Sequence, residues 1–172
     1  FSKGINIRKN TVTRLLSLLR SQKLINNQIF RINIHKNIPH GSGLGGGSSN
    51  AASLLNYFNL KMRLKLKKKK IKQLAKKIGF DVPINLEKKE TFLTGKRDEI
   101  RRLNYKFKLN ILIVYPNIVC STKKIYEKNK EKSLFKNKNF SKKRNKKNLI
   151  NFLKKENNDL EKIVVKIYPK VR

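Results

Sequence analysis

The 172-residue sequence predicts an α+β fold, and two observations carry that prediction. Apolar residues recur at helical spacing in some segments and alternate in others. The two kinds of segment are interleaved without the regular strand–helix–strand rhythm of a doubly wound sheet, and no internal repeat is visible. The length suits one domain, or one and part of a second, and is enough to bury about two thirds of the unfolded surface.

The elements follow in order. Asn10 or Thr11 can cap a helix whose apolar face is Val12, Leu15, Leu16, Leu18 and Leu19, ending near Lys23. Gln28 to His35 alternates and reads as a strand. Lys36 to Gly47 holds one Pro and five Gly, a loop with unusual backbone demands. Ser48 or Ser49 then caps a helix through Ala51, Ala52, Leu54, Leu55 and Phe58. A Lys-rich link at Lys61–Lys70 leads to a helix with Ile71, Leu74, Ala75 and Ile78, closed by Gly79. Phe80–Leu86 is non-helical, as the residue before Pro83 demands. Strands are expected at Thr91–Leu93, Ile100–Leu103 and Leu109–Val114, and helices near Thr122–Lys128, at Leu149–Lys154 and from Asn158 or Asp159 to just before Pro169. Between them, Lys128 to Asn148 is a low-complexity Lys/Asn insertion expected to be solvated or disordered.

Charge and cysteine bound the chemistry. Lys and Arg number 44 against 10 Asp and Glu, a net charge of +34. Such a charge ordinarily points to nucleic acid or an anionic surface. However, 34 Lys, 21 Asn and 18 Ile fill 73 of the 172 positions, the bias of an AT-rich coding sequence. Lys also outnumbers Arg, the better reader of bases and phosphates, by 34 to 10. Drift on solvated faces is therefore the preferred reading, and no specific nucleic-acid partner is expected. The single cysteine excludes a disulfide framework and a multi-thiolate zinc site. Cys120, with Lys123 and Lys124 beside it and no His nearby, reads as a buried small residue. His35 and His40 lack a partner acid and read as strand-end and loop residues rather than metal ligands. The longest apolar run, around Leu109–Tyr115, is too short to cross a bilayer, so no membrane is expected. No secretory signal shows in these residues, and the opening on Phe1 rather than Met suggests missing upstream residues.

The most informative stretch is Ile38 to Ser53, IPHGSGLGGGSSNAAS. A strand, a glycine turn, two hydroxyls and a helix form an anion site: glycine backbone can crowd amides round a phosphate, and the helix start adds partial positive charge. Ser48 and Ser49 stand where a hydroxyl can touch a phosphate oxygen or a bound Mg²⁺. Gly41, Gly43 and Gly46 satisfy G-x-G-x-x-G, but the dinucleotide reading wants an acid about twenty residues later, where Lys61–Lys70 has none. A P-loop would need a Lys after the glycines, and the protein-kinase H-R-D and D-F-G motifs are missing.

P-x-G-x-G-L-G-G-G-S-S-N-A-A resembles the nucleotide loop of the GHMP small-molecule kinases, and its doubled glycine with S-S-N-A-A is similar to their 4-diphosphocytidyl-2-C-methylerythritol kinase branch. Further stretches agree in the same order: Lys36–Pro39, Ile78–Pro83, Ser121–Tyr126, and Asn158–Glu161 ahead of Tyr168–Pro169. The resemblance implies a two-domain architecture, with an N-terminal ATP-binding domain over 1–104 that lacks its first strands and a partial C-terminal substrate domain over 105–172. It implies ATP-dependent phosphorylation of the 2-hydroxyl of 4-diphosphocytidyl-2-C-methyl-D-erythritol, in the non-mevalonate route to isoprenoid precursors. ATP and Mg²⁺ are the implied cofactors, the cytidine-linked alcohol the implied partner, and a bacterial cytoplasm the implied compartment, with a plastid as the alternative. A monomer or homodimer is expected.

Residue by residue, the resemblance makes Pro39, His40, Gly41, Ser42, Gly43, Leu44, Gly45, Gly46, Gly47, Ser48 and Ser49 the ATP loop and puts Lys36 close to the adenine. Ser49 is the candidate Mg²⁺ contact. The first eighty residues contain no carboxylate, and Asp81 is the first. On its own Asp81 reads as a helix-end turn residue or as a base; the resemblance makes it the catalytic aspartate that takes the substrate's proton. Thr122 and Tyr126 match substrate-contacting positions, the ring stacking on cytosine, although Tyr126 also fits a core-facing helix position. Three features depart from the family. The P-A-K-I-N-L segment with its catalytic Lys, and the Tyr-His pair near it, do not precede Phe1. The later glycine-rich segment is missing. Gly95–Glu99 replaces G-x-G-E with a longer turn. The expectation is that these residues alone bind ATP but turn over poorly. The competing readings are another GHMP kinase acting on a different alcohol, a basic nucleic-acid-binding protein, and an inactive relic.

Overall fold

The computed structural model describes residues 10–94, 99–104, 106–129 and 145–172. They form a mixture of helices and a small sheet, as an α+β fold requires. The chain divides into two compact units, Phe1–Lys88 and Lys89–Arg172.

The first unit is built on three helices: α1 (Thr11–Ser21), α2 (Gly46–Lys61) and α3 (Lys68–Ile78). Helix α1 starts where Asn10, in extended backbone, accepts from the amides of Val12 and Thr13 while the Thr13 hydroxyl bonds back to Asn10. This reciprocal cap satisfies amides that would otherwise lack partners. Leu15 and Leu19, one turn apart, are buried against Ala51, Ala52, Leu55 and Phe58 of α2 and Leu74, Ala75 and Ile78 of α3. The two alanines let backbones approach closely, and Phe58 fills the larger space, its ring edge-on to Phe30 at 5.0 Å. Helix α3 ends at Gly79, which takes an extended φ of −177° rather than a left-handed cap. After it Val82 is fully buried, and a 3₁₀ turn, η1 (Ile84–Leu86), lies against α2, where Asn56 Nδ2 donates to the Leu86 carbonyl at 2.9 Å.

Three expected elements differ in this unit, the first being Phe80–Leu86, expected to be non-helical, whose last three residues wind into η1 once past Pro83. Gln28–His35 is not a strand. Its side chains still alternate, Phe30, Ile32 and Ile34 half-buried between exposed neighbours, but no ladder partner exists among the described residues. Alternation records which face is apolar; a strand also needs a neighbour's amides and carbonyls. Helix α2 also begins earlier than Ser48 or Ser49, because Gly46 and Gly47 are already helical and the N-cap is Gly45.

In the second unit β1 (Thr91–Thr94) pairs antiparallel with β2 (Glu99–Arg102), Thr91 opposite Arg102 and Leu93 opposite Ile100. Arg102 Nη1 donates to Thr91 Oγ1 at 2.6 Å and ties the open end of the hairpin. Three helices follow: α4 (Thr122–Lys128), α5 (Lys146–Leu153) and α6 (Glu161–Ile167). The Ser121 amide donates to Tyr168 Oη at 3.0 Å, joining the start of α4 to the end of α6. The expected strand at Leu109–Val114 is irregular and has no ladder partner among the described residues, and Ile111 to Val114 are exposed. Cys120, expected to be buried, is half-buried. Residues 95–98 of the expected long turn and 130–144 of the Lys/Asn insertion lie outside the described residues.

Candidate functional site

The glycine loop is held open by its own backbone. Gly41, Gly43 and Gly45 have φ of 72°, 76° and 69°, the left-handed region in which a Cβ is strained. Nothing lies within 4 Å of a Cβ built at Gly43 or Gly45, so backbone angle rather than crowding explains glycine there. Gly45 then caps α2 without a side chain to offer. Ser49 N to Gly45 O, 2.9 Å, is the first bond of that helix. Among the described residues, the amides from Gly41 to Ser48 have no acceptor. The contrast with α1 is chemical: there Asn10 occupies the amides, whereas here they are free for an outside acceptor.

Two neighbours shape this end of α2. Lys36 Nζ stands 3.5 Å from where a Cβ on Gly46 would be, with Ile38 beside it. An ammonium against the positive end of a helix dipole is unfavourable by about 0.3–1 kcal/mol unless an anion lies between them. The first turn of α2 contains no acid to offset it, and residues 10–80 contain none at all. On the other side Thr11 Oγ1 donates to the Gly47 carbonyl at 2.8 Å, and its methyl group lies 3.8 Å from the position of a Gly47 Cβ. Thr11 therefore locks the first turn of α2 to the start of α1 across 36 residues of sequence. Sequence reasoning considered Thr11 only as a cap; an interaction so distant along the chain leaves no local pattern.

The remaining candidates fall elsewhere. Pro39, His40 and Leu44 are exposed on the loop, while Ser42, Ser48 and Ser49 are half-buried, the last two inside the first turn of α2. Asp81 lies on the turn between α3 and η1, exposed above the buried Val82. Its carbonyl accepts from Asn85 Nδ2 at 2.8 Å, and no described residue bonds its carboxylate. Among the described residues no hydrogen bond joins Asp81 to the glycine loop. Thr122 is the first residue of α4, and Tyr126, at 64% exposed, presents its ring to solvent while Ile125 is buried beneath. Tyr126 is thus not a core aromatic.

Among the described residues no group of three or more His, Cys, Asp or Glu could hold a metal ion. From Pro39 to Ser49 the only side-chain oxygens are serine hydroxyls. That donor set fits a Mg²⁺ that arrives on a polyphosphate and keeps its phosphate and water ligands.

Residues 10–87 match the family model described as GHMP kinases N terminal domain, which places α1, the glycine loop, α2, α3 and η1 in that class. This match covers a little under half of the chain and shows a GHMP kinase N-terminal domain over those residues. Over all 172 residues the chain is 40% identical to the 4-diphosphocytidyl-2-C-methyl-D-erythritol kinase of Pelagibacter ubique, covering 59% of that relative. It is 41% identical over 130 residues to the enzyme of the same name from Sulfurihydrogenibium, 76% of this chain and 46% of the relative. It is 30% identical to that of Anaplasma phagocytophilum over 98% of this chain and 56% of the relative. The chain spans about half the length of the curated relatives it matches. No solved structure matches it. No helix among the described residues is long and apolar enough to cross a membrane.

Proposed function

We propose that the chain is part of an ATP-dependent small-molecule kinase that phosphorylates the 2-hydroxyl of 4-diphosphocytidyl-2-C-methyl-D-erythritol, in the non-mevalonate route to isoprenoid precursors. The observation that carries the reading is the start of α2, which no side chain caps and where left-handed glycines, unpaired amides and the Lys36 ammonium meet, with no acid in residues 10–80. That is a receptor for a polyanion tail. The acceptor comes from the relatives, whose shared name favours this alcohol over that of another GHMP kinase.

In this reading the amides of Gly41 to Ser48 hold the α and β phosphates, and Lys36 adds a point charge at Gly46. The Ser49 hydroxyl is within the same helical turn and meets the metal or a phosphate oxygen. Mg²⁺, when bound, neutralises charge on the triphosphate. Asp81, exposed and with no described residue bonded to its carboxylate, accepts the proton of the substrate hydroxyl as the phosphoryl group transfers. Thr122 and the exposed ring of Tyr126 hold the cytidine end. The ATP-binding domain is assigned to 1–104 and a partial substrate domain to 105–172, in the cytoplasm of a bacterium.

Calorimetric titration of the chain with ATP and Mg²⁺ tests the loop, and radiolabel transfer from ATP to the alcohol tests the chemistry. Saturable ATP binding is expected, unchanged in Asp81→Asn. Any turnover is expected to fall a hundredfold or more in Asp81→Asn, the loss of a general base. Turnover unchanged in Asp81→Asn would contradict the base assignment, and the absence of ATP binding would overturn the loop assignment.

A further inference from the structure

Residues 10–80 contain 15 Lys or Arg and no acid, so no ion pair can form within them. These cations are not evenly spread. Between α2 and α3 the chain alternates: Lys61, Arg63 and Lys65 are exposed, while Met62, Leu64 and Leu66 pack on the core. Arg63 and Lys65 reach this arrangement with φ of 53° and 51°, left-handed backbone that is unfavourable for residues carrying a Cβ. The turn is pinned by Leu66 N donating to Asn59 Oδ1 at 2.7 Å. On α3 the outward Lys69, Lys72 and Lys76 recur at i, i+3 and i+7, which stacks them on one face. Among the described residues none of these six cations has an ion-pair partner.

We propose that this link and the outer face of α3 together form a docking surface for a nucleic-acid backbone, read without regard to base sequence. The stripe from Lys69 to Lys76 spans about 10 Å at 1.5 Å per residue. A nucleic-acid strand offers a phosphate about every 3.4 Å along the duplex axis, so the stripe faces about three phosphates and the link extends the track. Five of the six cations are lysines, point charges that neutralise phosphate but do not fork onto base edges. A bilayer surface suits the helix less well. The apolar side of α3, Leu74, Ala75 and Ile78, is fully buried in the protein and has nothing left to insert. The surface is separate from the glycine loop in sequence and does not depend on the kinase reading.

Fluorescence anisotropy of a labelled mixed-sequence DNA duplex against the whole chain provides the test. With about five phosphates neutralised, log K against log salt should fall with a slope of about −4.5. Affinity should then drop roughly 500-fold between about 50 and 200 mM salt. The variant Lys69→Gln/Lys72→Gln/Lys76→Gln should flatten the slope by about 3, with an unchanged circular dichroism spectrum. An equal loss of charge elsewhere, Lys106→Gln/Lys108→Gln/Lys162→Gln, should leave the slope nearly intact. Saturating ATP should not displace the duplex. The proposal fails if the control variant flattens the slope equally, since the charge then acts diffusely. It fails if ATP displaces the duplex, which would put the DNA on the glycine loop. It fails too if phosphatidylserine vesicles bind more tightly than DNA and lose affinity through the same three lysines.

Discussion

Replacing Thr11 by Val removes one hydroxyl and almost no volume. The lost bond is 2.8 Å long, half-buried, and spans the junction between α1 and the first turn of α2. The Gly47 carbonyl is not orphaned, because its place inside α2 leaves it an acceptor in the helix ladder. The loss is therefore that of one ordinary hydrogen bond, about 1 kcal/mol, without an added desolvation penalty. For a chain of this length that lowers Tm by about 2–4 °C. If the whole loss also loosened the amides that face a phosphate, Kd for ATP would rise about fivefold, which sets the upper bound. Thermal unfolding followed by circular dichroism and calorimetric ATP titration measure the two effects separately. Thr11→Ser keeps the hydroxyl and deletes the methyl that lies 3.8 Å from the Gly47 Cβ position. It should retain ATP affinity while losing a little stability. Equal weakening of ATP binding in Thr11→Ser and Thr11→Val would show that packing, not the hydrogen bond, positions the turn. An unaltered Tm and Kd in Thr11→Val would refute the reasoning outright.

Two further substitutions separate backbone from side-chain effects. Phe58→Ala empties a site that is 1% exposed and deletes the edge-on contact with Phe30, so urea unfolding should show a loss of about 3–5 kcal/mol. Adjacent glycines should respond with opposite signs. Gly45→Ala places a Cβ in left-handed backbone and should destabilise by about 1–2 kcal/mol, whereas Gly46→Ala lies in the helix with its nearest neighbour at 3.5 Å and should be neutral or stabilising by up to about 1 kcal/mol, both read from the urea midpoint.

Helical periods made much of this fold legible. The capped start at Asn10, the spacing of Leu15 and Leu19, and the pattern of Leu74, Ala75 and Ile78 are local signals, and α1, α3 and α4 lie where they point. The hairpin was legible because both of its strands lie within twelve residues, from Thr91 to Arg102. Gln28–His35 and Leu109–Val114 were not, since alternation cannot say whether a partner is at hand. At the proposed site, the glycine run predicts unusual backbone, and Gly41, Gly43 and Gly45 take left-handed φ. Their cap was misplaced because Ser48 and Ser49 look like better caps than Gly45 by propensity. The lysine at Gly46 and the threonine at Gly47 depend on tertiary approach, which no short window of sequence contains.

The stretch from Ile111 to Val114 carries a colloidal consequence. Four β-branched or leucine side chains in a row, 61–89% exposed, are the kind of tape that zips molecules into insoluble aggregates. Mutual repulsion between molecules carrying +34 each holds that tape apart. Salt strips away this protection, so the brine that frees the chain from contaminating polyanions during purification also brings it nearer to precipitation.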